Sequence, residues 1–594
     1  MTTIAGLRKG GAWLLEDAAN EDPFTPEKLT DEHRLIAQTT DEFVDGEILP
    51  NLDRLENKDW AFARSLIRRC ADLGLLGVDV PESYGGLDLD KAASIIVAEH
   101  IARSASFAVT FGGQTNLSIL PLVLFGTDDQ KQRYLPRLLS GEMVGAYALS
   151  ESGSGSDALA ARTTATKHAD GTWVLNGEKM WISNGGFADL FIVFARVDGE
   201  QFTAFLVERA FAGVSAGQEE HKMGLHGSST TPIVLQEVRV PANNVLGEVG
   251  RGHKVALNTL NFGRFKLGAM CVGGCRDAIR DSARYAAQRK QFNHPIAAFG
   301  AIKHKLGEMT ARTYAVESLL YRTVGWIDAV LEQTTHDGDR GAAIAKAFEE
   351  FAIESSIAKV AGSETVDYVL DENVQIHGGN GYVKDYPAER YYRDARVNRI
   401  FEGTNEINRL LIPGMLVKRA LKGELPLIAA ARALQDEIMS PSLGGTSLDE
   451  GAPLDEELHT VGLFKKVALM VLGTAMQTYG DKLQDEQEVL AFVGDILIDT
   501  FAAESAVLRA RAALAAGLRT ASLHEAAARA FVAEAALRTE SAAKNALAAM
   551  AEGDTLRTLL VALRRLLKVT PANTVALRRT LADAVVAGGG YILN

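Results

Sequence analysis

The chain has 594 residues, a formal net charge of -14 and 47% hydrophobic residues. This is the composition of an ordinary globular protein with room for about four domains. The acidic balance excludes a general nucleic-acid binder, whose phosphate contacts need clustered cations.

Met1–Gly10 lacks the apolar stretch of a signal peptide. No uninterrupted apolar run reaches the roughly 20 residues of a bilayer span. Three cysteines, Cys70, Cys271 and Cys275, form no disulfide framework or zinc spacing. A cytoplasmic location follows as the expectation, with Cys271 and Cys275 as core filler on one helix face.

From about Thr30 to Ser140 the pattern is helical. Asp31 opens an amphipathic stretch, Ala61–Leu76 continues it, and Pro81 with Tyr84-Gly85-Gly86 breaks it before a further helix over Asp90–Arg103. Near Tyr147 the character changes. Trp173-Val-Leu, Asn176-Gly177 and Glu178-Lys-Met-Trp-Ile read as a β-hairpin, because Asn-Gly suits a type I′ turn. Further strands are expected at Phe191–Val197, Thr203–Val207 and Ile233–Val240. After Pro241, long proline-free periodic stretches suit a helical bundle. A loop-like linker containing Pro441–Ser447 and Gly451-Ala-Pro leads into an Ala- and Leu-rich second bundle, Leu458–Thr570. The expected domains are 1–145 (helical), 146–250 (β), 251–425 (helical bundle) and 426–594 (a helical extension). Strands and helices that do not alternate disfavour a doubly wound nucleotide fold.

Three groups of segments carry candidate chemistry, the first pairing a loop with the strand after it. Tyr147-Ala-Leu-Ser-Glu-Ser-Gly-Ser-Gly-Ser-Asp157 is small and hydroxyl-rich, which lets backbone approach a carbonyl or pyrophosphate. Lys179-Met-Trp-Ile-Ser-Asn-Gly-Gly186 sets Trp181 and Ser183 two apart, on one strand face, a flat apolar surface beside a hydroxyl. Gln375-Ile-His-Gly-Gly-Asn-Gly-Tyr382, with Arg289-Lys-Gln-Phe292 before it, offers free amides at Gly378 and Gly379. In Arg399-Ile-Phe-Glu-Gly-Thr-Asn-Glu-Ile407, apolar neighbours around Glu402 would raise its pKa from about 4.3, as a base for a weak carbon acid requires.

In order and spacing these motifs resemble the acyl-CoA dehydrogenase family over about residues 30–420. The resemblance implies a mainly α fold with a central β-barrel-like domain, a helical bundle and, here, an extra C-terminal helical domain. It implies FAD held by Tyr147, Leu149, Ser150, Ser156, Trp181, Ile182 and Ser183, by Thr404 and Glu406, and by Arg289, Phe292, Gln375, Gly378 and Gly379 of a neighbouring subunit in a homodimer. It implies Glu402 as catalytic base and Ser156, Asn261, Arg264, Phe401 and Gly403 around a fatty acyl-CoA substrate, with electrons passed to electron-transfer flavoprotein. Some family members carry the base on the long helix instead; that position is Gly263 here, which cannot serve. Arg264 beside it is a helix arginine near the substrate or a structural ion-pair partner.

The extra length resembles the very-long-chain subgroup. Phe299-Gly300 agrees with it, whereas Ser118 and Pro121 fall about where that subgroup widens the acyl pocket with glycines. An acyl-CoA oxidase using dioxygen and a non-catalytic assembly factor of the same fold are the competing readings. In the extension, Asp554 is a candidate N-cap for a helix carrying Leu556, Leu559, Leu560, Leu563 and Leu567, with Arg557, Arg564, Arg565 and Lys568 on it. Such a helix either touches a membrane surface or packs into a core. No metal is expected, since the twelve histidines form no ligand array.

Overall fold

The computed structural model describes residues 8–334, 340–439 and 452–593. The segment 441–447 and Gly451 of the expected linker lie outside them. The principal N-terminal helices are α1 (Asp31–Phe43), α2 (Trp60–Asp72), α3 (Lys91–Ile101) and α4 (Ala105–Gln114). Each of the first three starts at a side-chain cap, Thr30, Asp59 and Asp90, which satisfies an orphan backbone amide. The Tyr84-Gly85-Gly86 break is real: Gly85 has φ 85° after a short 3₁₀ turn.

Eight strands follow: β1 (Gly145–Ala148), β2 (Thr164–Lys167), β3 (Trp173–Ser183), β4 (Leu190–Val197), β5 (Gln201–Glu208), β6 (Val214–Ala216), β7 (Thr230–Val240) and β8 (Val245–Leu246). Their order is β6-β7-β3-β2-β4-β5-β8, with β1 parallel to β4. The inner faces share one core with the N-terminal helices, through residues such as Phe43, Phe107, Phe191 and Val238.

The expected hairpin at Asn176-Gly177 is absent. β3 runs straight through it, and the pairing with β7 shifts register there instead. Asn176 Nδ2 donates to Glu237 Oε1 at 2.7 Å, and the Glu237 amide donates back to Asn176 Oδ1 at 2.8 Å. Gly177 also lies under Thr163, whose Oγ1 would sit 2.4 Å from any Cβ added there. The conformational freedom that suits a turn serves here to bulge a strand and admit a close neighbour.

A second register shift falls between Lys179 and Ile182. Trp181 takes φ 58°, so simple alternation does not set the faces of Trp181 and Ser183. Lys179 and Ile182, three apart, are the buried pair, and the Trp181 ring is 60% exposed.

Long helices return as α5 (Gly252–Gln288), α6 (Gly300–Thr334), α7 (Ala352–His377), α8 (Ala388–Ala395) and α9 (Asn405–Leu421). α5 and α7 run parallel and meet where Gly268 faces Gly362; a Cβ on Gly362 would lie 3.0 Å from the Gly268 Cα. Cys271 and Cys275 are free and buried in this interface, as core filler.

The extension contributes α10 (Asp455–Tyr479), α11 (Gln487–Ala515), α12 (Ala521–Met550), α13 (Gly553–Leu566) and α14 (Thr574–Gly588). It is the expected extra helical domain, packed tightly onto the rest: one core cluster joins Trp13, Tyr321 and Ile357 to Phe501 and Leu593. Buried charges stitch the same seam: Arg322 pairs with Glu21 at 2.6 Å and Glu504 at 2.9 Å, and Arg509 with Glu27 at 2.6 Å and Glu317 at 2.5 Å.

Asp554 lies inside α13, whose N-cap is Glu552. Leu563 and Leu566 are buried, and Leu556, Leu559, Leu560 and Leu567 pack on the main core. The leucine stripe is therefore used internally, leaving the basic residues solvated. Two helical stretches, Ala105–Phe125 and Asp455–Asp485, are long and on average apolar enough to cross a membrane, although polar residues interrupt both. Their most apolar windows are 89% and 61% buried inside the fold, so neighbouring helices account for them.

Candidate active site

Glu402 sits in the turn before α9 with φ 58°, followed by Gly403 at φ 79°. A left-handed conformation is strained for glutamate and persists only where the surroundings enforce it. Here they do. Arg264 Nε, from α5, donates to the Glu402 carbonyl at 3.1 Å, and Arg264 Nη1 donates to Asn261 Oδ1 at 3.1 Å. Asn408 Nδ2 reaches the carbonyls of Gly403 at 2.9 Å and Thr404 at 3.0 Å. Thr404 caps α9 by accepting from the Ile407 amide. Arg264 forms no ion pair among the described residues; buried as it is, its role here is to hold a backbone carbonyl.

The carboxyl of Glu402 points inward onto α5. A Cβ built on Gly263 would lie 2.7 Å from Oε2 and 2.9 Å from Cδ. The glycine that cannot be a base is thus the space the carboxyl occupies. Glu402 Oε2 is shut from water and lacks a hydrogen-bond partner. Burial pushes the Glu402 pKa up to about 7, against the opposing cations of Arg264 and Lys359. Lys359, buried in α7, donates to Asn405 Oδ1 at 2.6 Å; burial draws its own pKa down to about 8. Nothing in the sequence singled out Lys359, because a lysine inside a 26-residue helix looks like any solvated one.

Opposite stands the end of β1. The Tyr147 hydroxyl is buried beside Thr259, and burial together with the Glu402 charge pushes its pKa well above the ordinary value. Leu149 is buried and Ser150 half-buried. The Met180 amide donates to the Ser150 carbonyl at 2.9 Å, and Lys179 Nζ to the Leu149 carbonyl at 3.2 Å. The Tyr147–Ser150 segment thereby lies beside Trp181, Ile182 and Ser183.

The following loop is pinned by a group the sequence reading passed over. Glu151 accepts from Lys179 Nζ at 2.6 Å, Thr163 Oγ1 at 2.6 Å and the Arg162 amide at 2.6 Å. Its only sequence signal was Lys179 at the head of the Trp181 motif. Ser156 is exposed on this loop, and Glu406 is exposed on α9.

The remaining candidates lie elsewhere. Arg289, Phe292, Gln375, Gly378 and Gly379 gather at the far ends of α5 and α7, where Tyr285 donates to the His377 carbonyl at 3.2 Å. At 1.5 Å per residue, about 38 Å of helix separates Gly263 from the end of α5. This second group is exposed, with Phe292 at 85% and Tyr382 at 87%. A Cβ on Gly378 or Gly379 would meet nothing within 4 Å.

Ser118 does not widen any pocket at this site. It packs on Gly145 and donates to the Gly113 carbonyl at 2.8 Å. No cluster of possible metal ligands occurs among the described residues.

The family models that match are acyl-CoA dehydrogenase domains: the N-terminal domain over residues 30–142, the middle domain over 146–238, and two C-terminal domain models over 250–415 and 463–565. A "Probable acyl-CoA dehydrogenase" of Bacillus subtilis (strain 168) is 48% identical over 592 residues, 99% of each chain. The short-chain specific acyl-CoA dehydrogenase of Rattus norvegicus mitochondria is 37% identical over 396 residues, covering 66% of this chain and 91% of its own. The crystal structure of an acyl-CoA dehydrogenase from Bacillus anthracis complexed with FAD superposes with a TM-score of 0.95, at 46% identity, over 98% of this chain and 100% of the other.

Proposed function

The chain belongs to the acyl-CoA dehydrogenase family, whose members use FAD, and on that premise we propose that it desaturates fatty acyl-CoA thioesters to trans-2-enoyl-CoA with Glu402 as the base. The observation that carries this reading is the Glu402 carboxyl, inward, unpartnered and shifted to about 7. A group so poised accepts a proton from a weak carbon acid at neutral pH.

The residues fit a flavin. The buried Tyr147 hydroxyl and the exposed Trp181 side chain give a polar anchor and a flat apolar wall at one edge of the β module. Leu149, Ser150, Ile182 and Ser183 line the same edge, and Ser156 stands on the open loop beyond it. When bound, FAD supplies the acceptor for the substrate's β-hydrogen. Everything else falls to the chain. Glu402 Oε2 takes the α-proton. Arg264 and Asn408 hold the strained turn so that the carboxyl faces the substrate rather than solvent, while Asn261 fixes Arg264. The Glu402 amide is free to donate to the thioester carbonyl, which makes the α-proton more acidic. Phe401 and Gly403 flank the reacting carbon, and burial keeps water out.

Arg289, Phe292, Gln375, Gly378 and Gly379 act on the FAD of a second copy, in a homodimer. Their separation from Glu402 within one chain and the exposure of Phe292 and Tyr382 support this. Reduced flavin passes its electrons to electron-transfer flavoprotein, in fatty acid β-oxidation in the cytoplasm. The long form of the chain supports a preference for longer acyl groups, like that of the very-long-chain subgroup.

Anaerobic titration of the yellow protein with saturated acyl-CoAs tests the reading. Flavin bleaching with stoichiometric enoyl-CoA is expected. A flavin that stays oxidised with every acyl-CoA would defeat it, and peroxide release in air would move it to an oxidase.

A further inference from the structure

Arg264 and Asn408 hold the backbone of the Glu402 turn, but a second string of contacts enters the same turn from the extension. Asp495, on α11, accepts from Arg409 Nε of α9 at 2.7 Å. Arg409 Nη1 and Nη2 clamp the two oxygens of Glu364, on α7, at 2.7 Å each. Glu364 Oε1 also accepts from Asn405 Nδ2 at 3.0 Å. Asn405 Oδ1 accepts in turn from Lys359 Nζ at 2.6 Å and from Ser363 Oγ at 3.2 Å. Asn405 is the first residue of α9, directly after the Thr404 cap of the Glu402 turn.

The string has one possible direction. Arginine and lysine only donate, and carboxylates only accept. Asn405 must therefore turn its oxygen to Lys359 and its amide to Glu364. The forked Arg409–Glu364 pair is the stiff link. α11 presses on that link from behind, since a Cβ added to Gly494 would lie 2.9 Å from the Arg409 carbonyl. Asp495 and Glu364, at the outer end, are half-buried, whereas Asn405 and Lys359 are buried.

Lys359 is the inner end. It forms no ion pair among the described residues, and Asn405 fixes the head of its flexible stem. Its charge acts on Glu402 in the turn, on Arg264 and Cys271 of α5, and on Glu364 of its own helix. Glu402 in turn faces Arg264, Lys359 and the Tyr147 hydroxyl of β1. Arg264 is committed to the Glu402 carbonyl and to Asn261. Lys359 is thus the cation whose place is set from outside the site. At the outer links, Glu364 also faces Arg399, and Asp495 also faces Asp499.

We infer that Lys359 and Asp495 are positioning residues for Glu402, the first setting a cation beside the base and the second holding that cation in place from the extension. The inference rests on the reading of Glu402 as the base. It gives the extension a part in the chemistry: α11 steadies Arg409 and Glu364, these orient Asn405, and Asn405 aims Lys359. A half-buried carboxylate such as Asp495 is screened by solvent, so its influence runs through this geometry rather than through its own field.

The test reads the midpoint of Glu402 titration in the FAD-loaded protein. It is taken from the pH profile of kcat/KM and from the infrared band of the protonated carboxyl, which Glu402→Gln identifies by removing it. Lys359→Gln keeps a donor for Asn405 and removes the charge. Losing a nearby cation disfavours the carboxylate, so the midpoint is expected to rise by about half a unit or more. Lys359→Met is expected to raise it as much, with Ser363 still bonded to Asn405. Asp495→Ala is expected to raise it by less. Through space alone, loss of that negative charge would lower the midpoint, so a rise reports a displaced Lys359. An unmoved midpoint in Lys359→Gln leaves that lysine a hydrogen-bond donor only and overturns its part. An unmoved or lowered midpoint in Asp495→Ala overturns the part of the extension. No bleaching by any acyl-CoA in the unsubstituted protein defeats the underlying reading instead, while the infrared midpoint stays measurable.

Discussion

The two ends of α5 carry the same kind of candidate residue in opposite states. At the Gly263 end, Glu402, Arg264 and Asn261 are enclosed and mutually braced, with Tyr147 buried beside them and backbone strain held by hydrogen bonds. At the Arg289 end, Phe292, Gln375 and the Gly378–Gly379 pair stand in the open, touching little of their own chain. The contrast teaches that a site may be half finished by folding and half left for another surface. The enclosed half spends burial on shifting one carboxyl. The exposed half leaves an aromatic ring in water, which is costly unless something covers it.

The sharpest break of this comparison comes from Glu402→Gln, which keeps the shape of the enclosed half and removes only its base. Flavin reduction by acyl-CoA is expected to slow by about 10²–10⁴-fold while the protein stays yellow; stopped-flow absorbance reads it. Loss of FAD in that variant would mean that Glu402 serves the cofactor and not the substrate.

The exposed half is probed by Arg289→Ala with Phe292→Ala. FAD affinity is expected to fall by about 10–100-fold, the cost of losing one or two anchor residues, while isolated protomers keep their melting temperature. Co-expressing this chain with the Glu402→Gln chain sharpens the point. If each exposed half serves the other protomer, the mixed dimer holds one intact site and regains activity that neither parent has. Mixed dimers as inactive as the parents would show that both halves act on one chain.

Arg264→Ala tests whether the strained turn needs its brace. Releasing about 1–3 kcal/mol of backbone strain is expected to let Glu402 relax and kcat to fall about 10–100-fold, with Lys at 264 restoring little because its single ammonium cannot hold both Glu402 and Asn261. The smallest effect is that of pH. The Glu402 pKa is raised to about 7, so the carboxyl is protonated and idle below that value. The profile of kcat/KM should fall about tenfold per unit below pH 7 and level off above it; a profile flat from 5 to 8 would show a carboxyl already ionised in the free enzyme.

Much of the enclosed half was legible in the chain. Phe401-Glu-Gly-Thr announced an apolar setting, and Gly263 removed a competing base, though the sequence did not show that the Glu402 carboxyl fills the space this glycine leaves. The hairpin was misread at Asn176-Gly177 because the same dipeptide serves a turn or a bulge, and only the partner strand at Glu237 chooses. The leucine stripe of α13 stood open between membrane and core until the packing of α10–α12 consumed it. Lys179, Glu151 and Lys359 were invisible as a set because buried charges look like solvated ones until their partners, distant in sequence, arrive.

By itself the sequence determined the order of helical and β segments, the motifs and the family, since these depend on local periodicity and on residues close along the chain. Only the tertiary structure decided which way Glu402 points, that Arg264 holds a carbonyl rather than a carboxylate, and that the candidate residues fall into two groups at opposite ends of one helix. The reason is physical. Desolvation, strain and hydrogen-bond partnership belong to groups brought together across hundreds of residues, and no local pattern records them.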